Sequence, residues 1–168
     1  MALAAQRIDS NQPGPGDMQK YRFDSLSQWI GRELGVSDWT LISQEQINLF
    51  ADCTGDRQWM HVDEARCRRE SPYGAPVAHG FLMLSVLAKL VADLGGIPED
   101  AVGAINTAVN NVRFKAPVLA GTRVRASARI AGVASLNETQ RLVTAAVELQ
   151  TEGGTVAVTA DLMVLMFR

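Results

Sequence analysis

The spacing of apolar residues changes part-way along this chain, from helical periodicity to alternation. Between residues 80 and 94, Phe81, Leu82, Met83, Leu84, Val86, Leu87, Ala88, Leu90, Val91 and Leu94 leave almost no polar face. Lys89 and Asp93, four apart, mark the one wet edge. The run predicts a helix of about fifteen residues, roughly 22 Å long. A helix apolar nearly all round has to be surrounded by protein. Beyond Gly95-Gly96 the pattern becomes strand-like over residues 101–114, 122–133, 139–151 and 155–167. Val124 to Ile130 alternates strictly, and Glu152-Gly153-Gly154-Thr155 predicts a hairpin turn. One buried helix followed by consecutive hairpins predicts an α+β chain, with an antiparallel sheet laid over the helix.

Smaller elements precede the long helix. Residues 25–34 predict a short helix with Leu26, Trp29 and Ile30 on one face, and residues 38–42 a short strand. Ser43 with Gln46 forms a capping box for a helix carrying Ile47, Phe50 and Ala51, which ends near Gly55. A further helical turn is expected within residues 62–70, capped by Asp63. Residues 1–20 contain Pro13-Gly14-Pro15-Gly16 and read as an arm, leaving residues 21–168 as one domain.

Composition narrows the class. The hydrophobic fraction is 47%, the charged fraction 20% and the net charge -2, so nothing favours nucleic acid or an anionic membrane as partner. The longest apolar stretch is too short for a bilayer, which takes about twenty residues, and the N-terminus has no signal-peptide pattern. A cytoplasmic protein is expected. Cys53 and Cys67 lack metal-site spacing and read as reduced thiols, so no metal is expected.

Both histidines of the chain fall in one polar segment. Asp56 and His61 lie five apart after Gly55, and on a loop they can converge on one atom, as general acid-base chemistry requires. His79-Gly80 opens the long helix, where unpaired N–H groups favour developing negative charge. Taken singly, an aspartate after glycine is usually a turn residue and a lone histidine usually structural. The set of three is what points to catalysis.

Phe50-Ala51-Asp52-Cys53-Thr54-Gly55-Asp56-Arg57-Gln58-Trp59-Met60-His61-Val62-Asp63, with Pro76-Val77-Ala78-His79-Gly80-Phe81, closely resembles the MaoC-like dehydratases, or (R)-specific enoyl-CoA hydratases. Asn111 to Val118 and Gly121 to Val124 resemble their later strand pair, and the likeness spans residues 36–133. The resemblance implies a hot-dog fold, a long helix wrapped by an antiparallel sheet, as a homodimer. It implies Asp56 and His61 as the acid-base pair and Gly80 as the residue whose N–H binds the thioester oxygen. The substrate it implies is an acyl-CoA thioester, with no cofactor beyond the coenzyme A that the substrate carries. Gln58 and Trp59 stand where many members have Asn-Pro, and Ala88 where some carry a serine; Ser85 is not assigned its role.

Gln58, Trp59 and His79 are therefore candidate substrate contacts. For the CoA phosphates Arg113 and Lys115 are preferred over Arg68, Arg69, Arg123 and Arg125, since guanidinium and ammonium groups suit phosphate and this pair precedes Ala116-Pro117-Val118. A thioesterase and a non-catalytic acyl-thioester binder are the alternative functions.

Overall fold

The computed structural model describes residues 21–168, so the arm expected at residues 1–20 lies outside the described residues. The main elements are β1 (Glu33–Val36), β2 (Thr40–Leu41), α1 (Gln44–Thr54), α2 (Trp59–Val62), α3 (Glu64–Glu70), α4 (Gly80–Val91), β3 (Gly103–Phe114), β4 (Arg123–Ser135), β5 (Gln140–Thr151) and β6 (Val156–Phe167). All six strands are antiparallel and run β1-β4-β5-β6-β3, with β2 beside β4. This is the α+β hot-dog arrangement, helix against wrapped sheet.

Alternation decides which side of the sheet meets α4. Val124, Ala126, Ala128 and Ile130 of β4 are buried, as are Val143, Ala145, Val147 and Leu149 of β5 and Val158, Ala160 and Leu162 of β6. Met83, Leu87, Leu90 and Val91 of α4 complete the layer. Leu87 is fully buried, and its truncation to alanine should cost about 2–5 kcal/mol. The opposite stripe of α4 is not covered: Ser85 and Lys89 are exposed, and Phe81 is 69% exposed. The exposed stripe includes Lys89, the wet edge expected from the sequence, and it extends to Phe81 because one sheet covers one side of a cylinder. After Val91 the helix widens into a π turn, Ala92–Gly96.

The helix expected over residues 25–34 is shorter, a 3-10 helix Phe23–Trp29 that buries Phe23, Leu26 and Trp29. Ile30 leaves helical angles with ψ 127, and the chain turns into β1, where the Ile130 main chain bonds with Gly31 and Arg32. Pairing with β4 wins over helical continuation here. The strand expected over residues 38–42 shrinks to Thr40–Leu41.

Among the described residues, strand β3 lies at the sheet edge and pairs only with β6. Between Asn110↔Asp161 and Arg113↔Thr159 it carries one extra residue, and Asn111 takes φ 51 there. A single added residue exchanges the two faces of a strand. Phe114, paired with inward-facing Val158, is thereby turned toward α4.

Candidate active site

The site is assembled from the end of α1, the start of α4 and the end of β3. The expected capping box holds α1: Ser43 Oγ accepts from Gln46 N, and Gln46 Oε1 accepts from Ser43 N. Gly55 ends the helix at φ 79, ψ -1, a left-handed conformation that glycine adopts without a Cβ penalty, and its N–H donates to Ala51 O. The chain then reverses, and Asp56 heads a short loop.

His61 does not lie on that loop. Residues Trp59–Val62 form one turn of helix, α2, a difference from the loop expected over residues 56–61. Four residues offer no period to read. The turn aims the His61 ring at the strand-like segment before α4, and Nδ1 lies 2.5 Å from Val77 O. A carbonyl only accepts, so Nδ1 carries the hydrogen and Nε2 keeps its lone pair. Gln44 Nε2 donates to the His61 carbonyl at 2.7 Å and ties α2 back to α1.

Asp56, His61 and His79 each bring a polar side-chain atom within 4.8 Å of the others. The side chains of Asp56 and His61 thus converge, Asp56 exposed and His61 half-buried. Two of the ring nitrogens in this group already donate to main-chain carbonyls, at Val77 and Asp56. These are side chains of metal-ligating type, and a divalent ion there would compete for the lone pair that a base needs.

Gly80 is the first residue of α4, and its N–H is among those a helix leaves without an intrahelical acceptor. A Cβ on Gly80 would lie 3.1 Å from the Phe114 ring, so the glycine permits a close approach. The two line one cavity of about 400 Å³ with His61, Tyr73, Met83 and Lys115. A second concavity, about 340 Å³, opens on the far face of the sheet beside Glu33, Arg129, Glu148 and Asp161 and holds none of the candidate residues.

Of the candidates, His61, Gly80 and Lys115 line the 400 Å³ cavity, and Asp56 joins them through its approach to His61. Gln58 and Trp59 do not line it; Trp59 is half-buried with the Arg66 guanidinium 4.3 Å from its ring centroid. His79 is buried behind His61. Arg113 sits on the opposite side of β3 from Phe114 and donates to Val112 O. Arg68, Arg69 and Arg123 are paired with Glu64, Glu70 and Glu152, while Arg125 bonds Gln150 and covers Trp39. Ser85 Oγ donates back to Phe81 O, away from any substrate role. Sequence reasoning missed Val77, Tyr73 and Phe114 as site residues. Phe114 was within reach, because an aromatic next to Lys115 lies on the same matched strand.

The family of MaoC-like domains matches residues 25–153. The chain belongs to the MaoC-like dehydratases. 3-Hydroxyacyl-thioester dehydratase Z of Mycobacterium tuberculosis is 42% identical over 128 residues, which cover 76% of this chain and 83% of that one. The unliganded (R)-hydratase PhaJ1 of Pseudomonas aeruginosa superposes with a TM-score of 0.67 at 21% identity, over 83% of this chain and 82% of that one. The (R)-hydratase of A. caviae involved in PHA biosynthesis gives 0.60 at 26% identity, over 80% and 94%. This MaoC-like protein is accordingly an enzyme of the hydro-lyase class, a dehydratase or (R)-hydratase. Among its described residues no helix is long and apolar enough to cross a membrane.

Proposed function

We propose that the enzyme adds water to trans-2-enoyl-CoA thioesters to give (R)-3-hydroxyacyl-CoA, or catalyses the reverse. The observation that carries this reading is His61: with Nδ1 held by Val77 O its Nε2 lone pair is left free, the ring lines the same cavity as Gly80, and one of its nitrogens lies within 4.8 Å of an Asp56 carboxylate oxygen.

In the hydration direction the thioester oxygen accepts from Gly80 N–H, and the start of α4 stabilises charge that develops there. His61 Nε2 takes a proton from water while the water oxygen bonds to C3. The electron pair of the double bond moves toward the thioester, and Asp56 delivers a proton to C2. The proton gained by His61 then returns to Asp56, which restores both groups. Each positioned transfer contributes about 10² to 10⁴ in rate. Lys115 at the cavity reaches toward the CoA phosphates, with Arg113 the weaker candidate because it points to the other face of β3. No cofactor is required beyond the CoA of the substrate. We place the enzyme in the cytoplasm and as a homodimer that pairs along β3, whose edge leaves Ile105 and Val109 exposed.

The test is the loss of ultraviolet absorbance as the conjugated enoyl-CoA is hydrated. Asp56→Asn and His61→Ala should each reduce kcat by about 10² to 10⁴ with the thermal transition retained. Parental turnover in both variants, or release of free CoA thiol in place of hydration, would overturn the reading.

A further inference from the structure

His79 is 3% exposed, the one polar or charged residue among the described residues that reaches full burial. Its ring stacks on His61 with centroids 3.8 Å apart and planes inclined by 27°, and it packs against Phe50 at 5.0 Å. Nε2 lies 2.9 Å from the main-chain oxygen of Asp56 and must donate to it, since a carbonyl only accepts. That leaves Nδ1 as a lone pair, and it is buried with no hydrogen-bond partner. An acceptor left so has lost its hydration with no bond in exchange, which destabilises the fold. A phenylalanine would fill the same space between Phe50 and His61 without that cost.

We infer that His79 is a positioning residue that holds the acid and the base in register, and that the fold carries its unpaired nitrogen for that purpose. The other bonds that fix Asp56 are long: its N–H reaches Thr54 Oγ1 at 3.3 Å, and its Oδ1 accepts from Gln58 N at 3.4 Å. The donation from His79 is the shortest contact on an otherwise exposed residue. For His61 the bond to Val77 O fixes one point in the ring plane, and the stacked face of His79 fixes the inclination of that plane. One buried ring therefore constrains both partners, and it lies outside the lining of the 400 Å³ cavity. Misplacing a catalytic group by about 1 Å costs on the order of 100-fold in rate.

This inference rests on the Asp56–His61 reading, and two readouts keep their failures apart. The chain has two histidines, so imidazole nitrogen NMR of the labelled protein resolves each ring. In the parent, at a pH where both rings are neutral, the two should show opposite tautomers, His61 protonated on Nδ1 and His79 on Nε2. His79→Phe should unfold at the parent temperature or above and keep His61 protonated on Nδ1, since the ring face and Val77 O remain, yet lose the donor to Asp56 O. Its kcat on a straight-chain trans-2-enoyl-CoA should fall about 10- to 100-fold with KM little changed. His79→Gln, which keeps a donor near the Nε2 position, should recover part of kcat despite a lower melting temperature. A parent in which His79 is not protonated on Nε2, parental kcat in His79→Phe, or losses in both variants that follow only the unfolded fraction would overturn the inference. A parent protein without hydratase activity would instead sink the reading of the Asp56–His61 pair, while the tautomer result still decides the role of His79.

Discussion

His61 keeps one nitrogen for chemistry because Val77 holds the other. The same economy of partners distinguishes the two cysteines. Cys67 is wholly buried, with Sγ 3.6 Å from the carbonyls of Trp59 and Met60. Burial, and after it the neighbouring Asp63, push its thiol pKa up, so less of the reactive thiolate forms near neutrality. Cys53 is exposed on α1. A chromogenic disulfide reagent should therefore titrate one fast thiol per native chain, and the second only after unfolding. Two fast thiols would mean that the contact of α3 with α2 opens readily. Because Cys67 backs the turn that presents His61, its slow labelling also reports on the integrity of the base.

At the level of elements, the bulge in β3 has the most leverage on the site. Asn111 at φ 51 occupies a conformation that β-branched residues resist, and its Nδ2 donates to Asp161 Oδ2 at 2.6 Å. Asn111→Val should lose about 1–3 kcal/mol of stability and displace Phe114 from Gly80, which lowers kcat/KM for the enoyl thioester. Asn111→Gly tolerates the angle and should stay near the parent in melting temperature. Equal behaviour of the two variants would detach the bulge from the site. Elements whose signals are local were legible in the sequence: the Ser43-Gln46 cap, the Gly55 stop, the α4 run and the alternation of β4 all depend on residues within a few positions. What was not legible depends on distant partners. β1 exists because Ile130 and its neighbours bond it, α2 is too short to carry a period, and the faces of β3 depend on an inserted residue that propensity does not mark. The convergence of Asp56, His61 and Gly80 was readable through motif spacing and resemblance. The burial of His79 behind His61 was not, because burial is a property of the assembled layers.

Across the described residues, the sheet ends on one side in the short β1 and β2 against β4, and on the other in the long β3, whose outer edge has no strand partner among those residues. Free edges of this length are usually covered. Pairing of two copies along β3 predicts a dimer by light scattering, and Ile105→Lys with Val109→Lys should shift it toward monomer by placing like charges at the seam. A dimer unaffected by both charges would locate the interface elsewhere.

The edge strand ends at Phe114, the residue whose ring rests on Gly80 and walls the cavity. Pairing along β3 would make assembly and substrate affinity share a structural member, and linkage makes any coupling between them reciprocal. Enzyme diluted below the dissociation constant of the dimer should show a raised KM and a lag on mixing with substrate. Saturating enoyl-CoA should in turn lower the concentration at which subunits part.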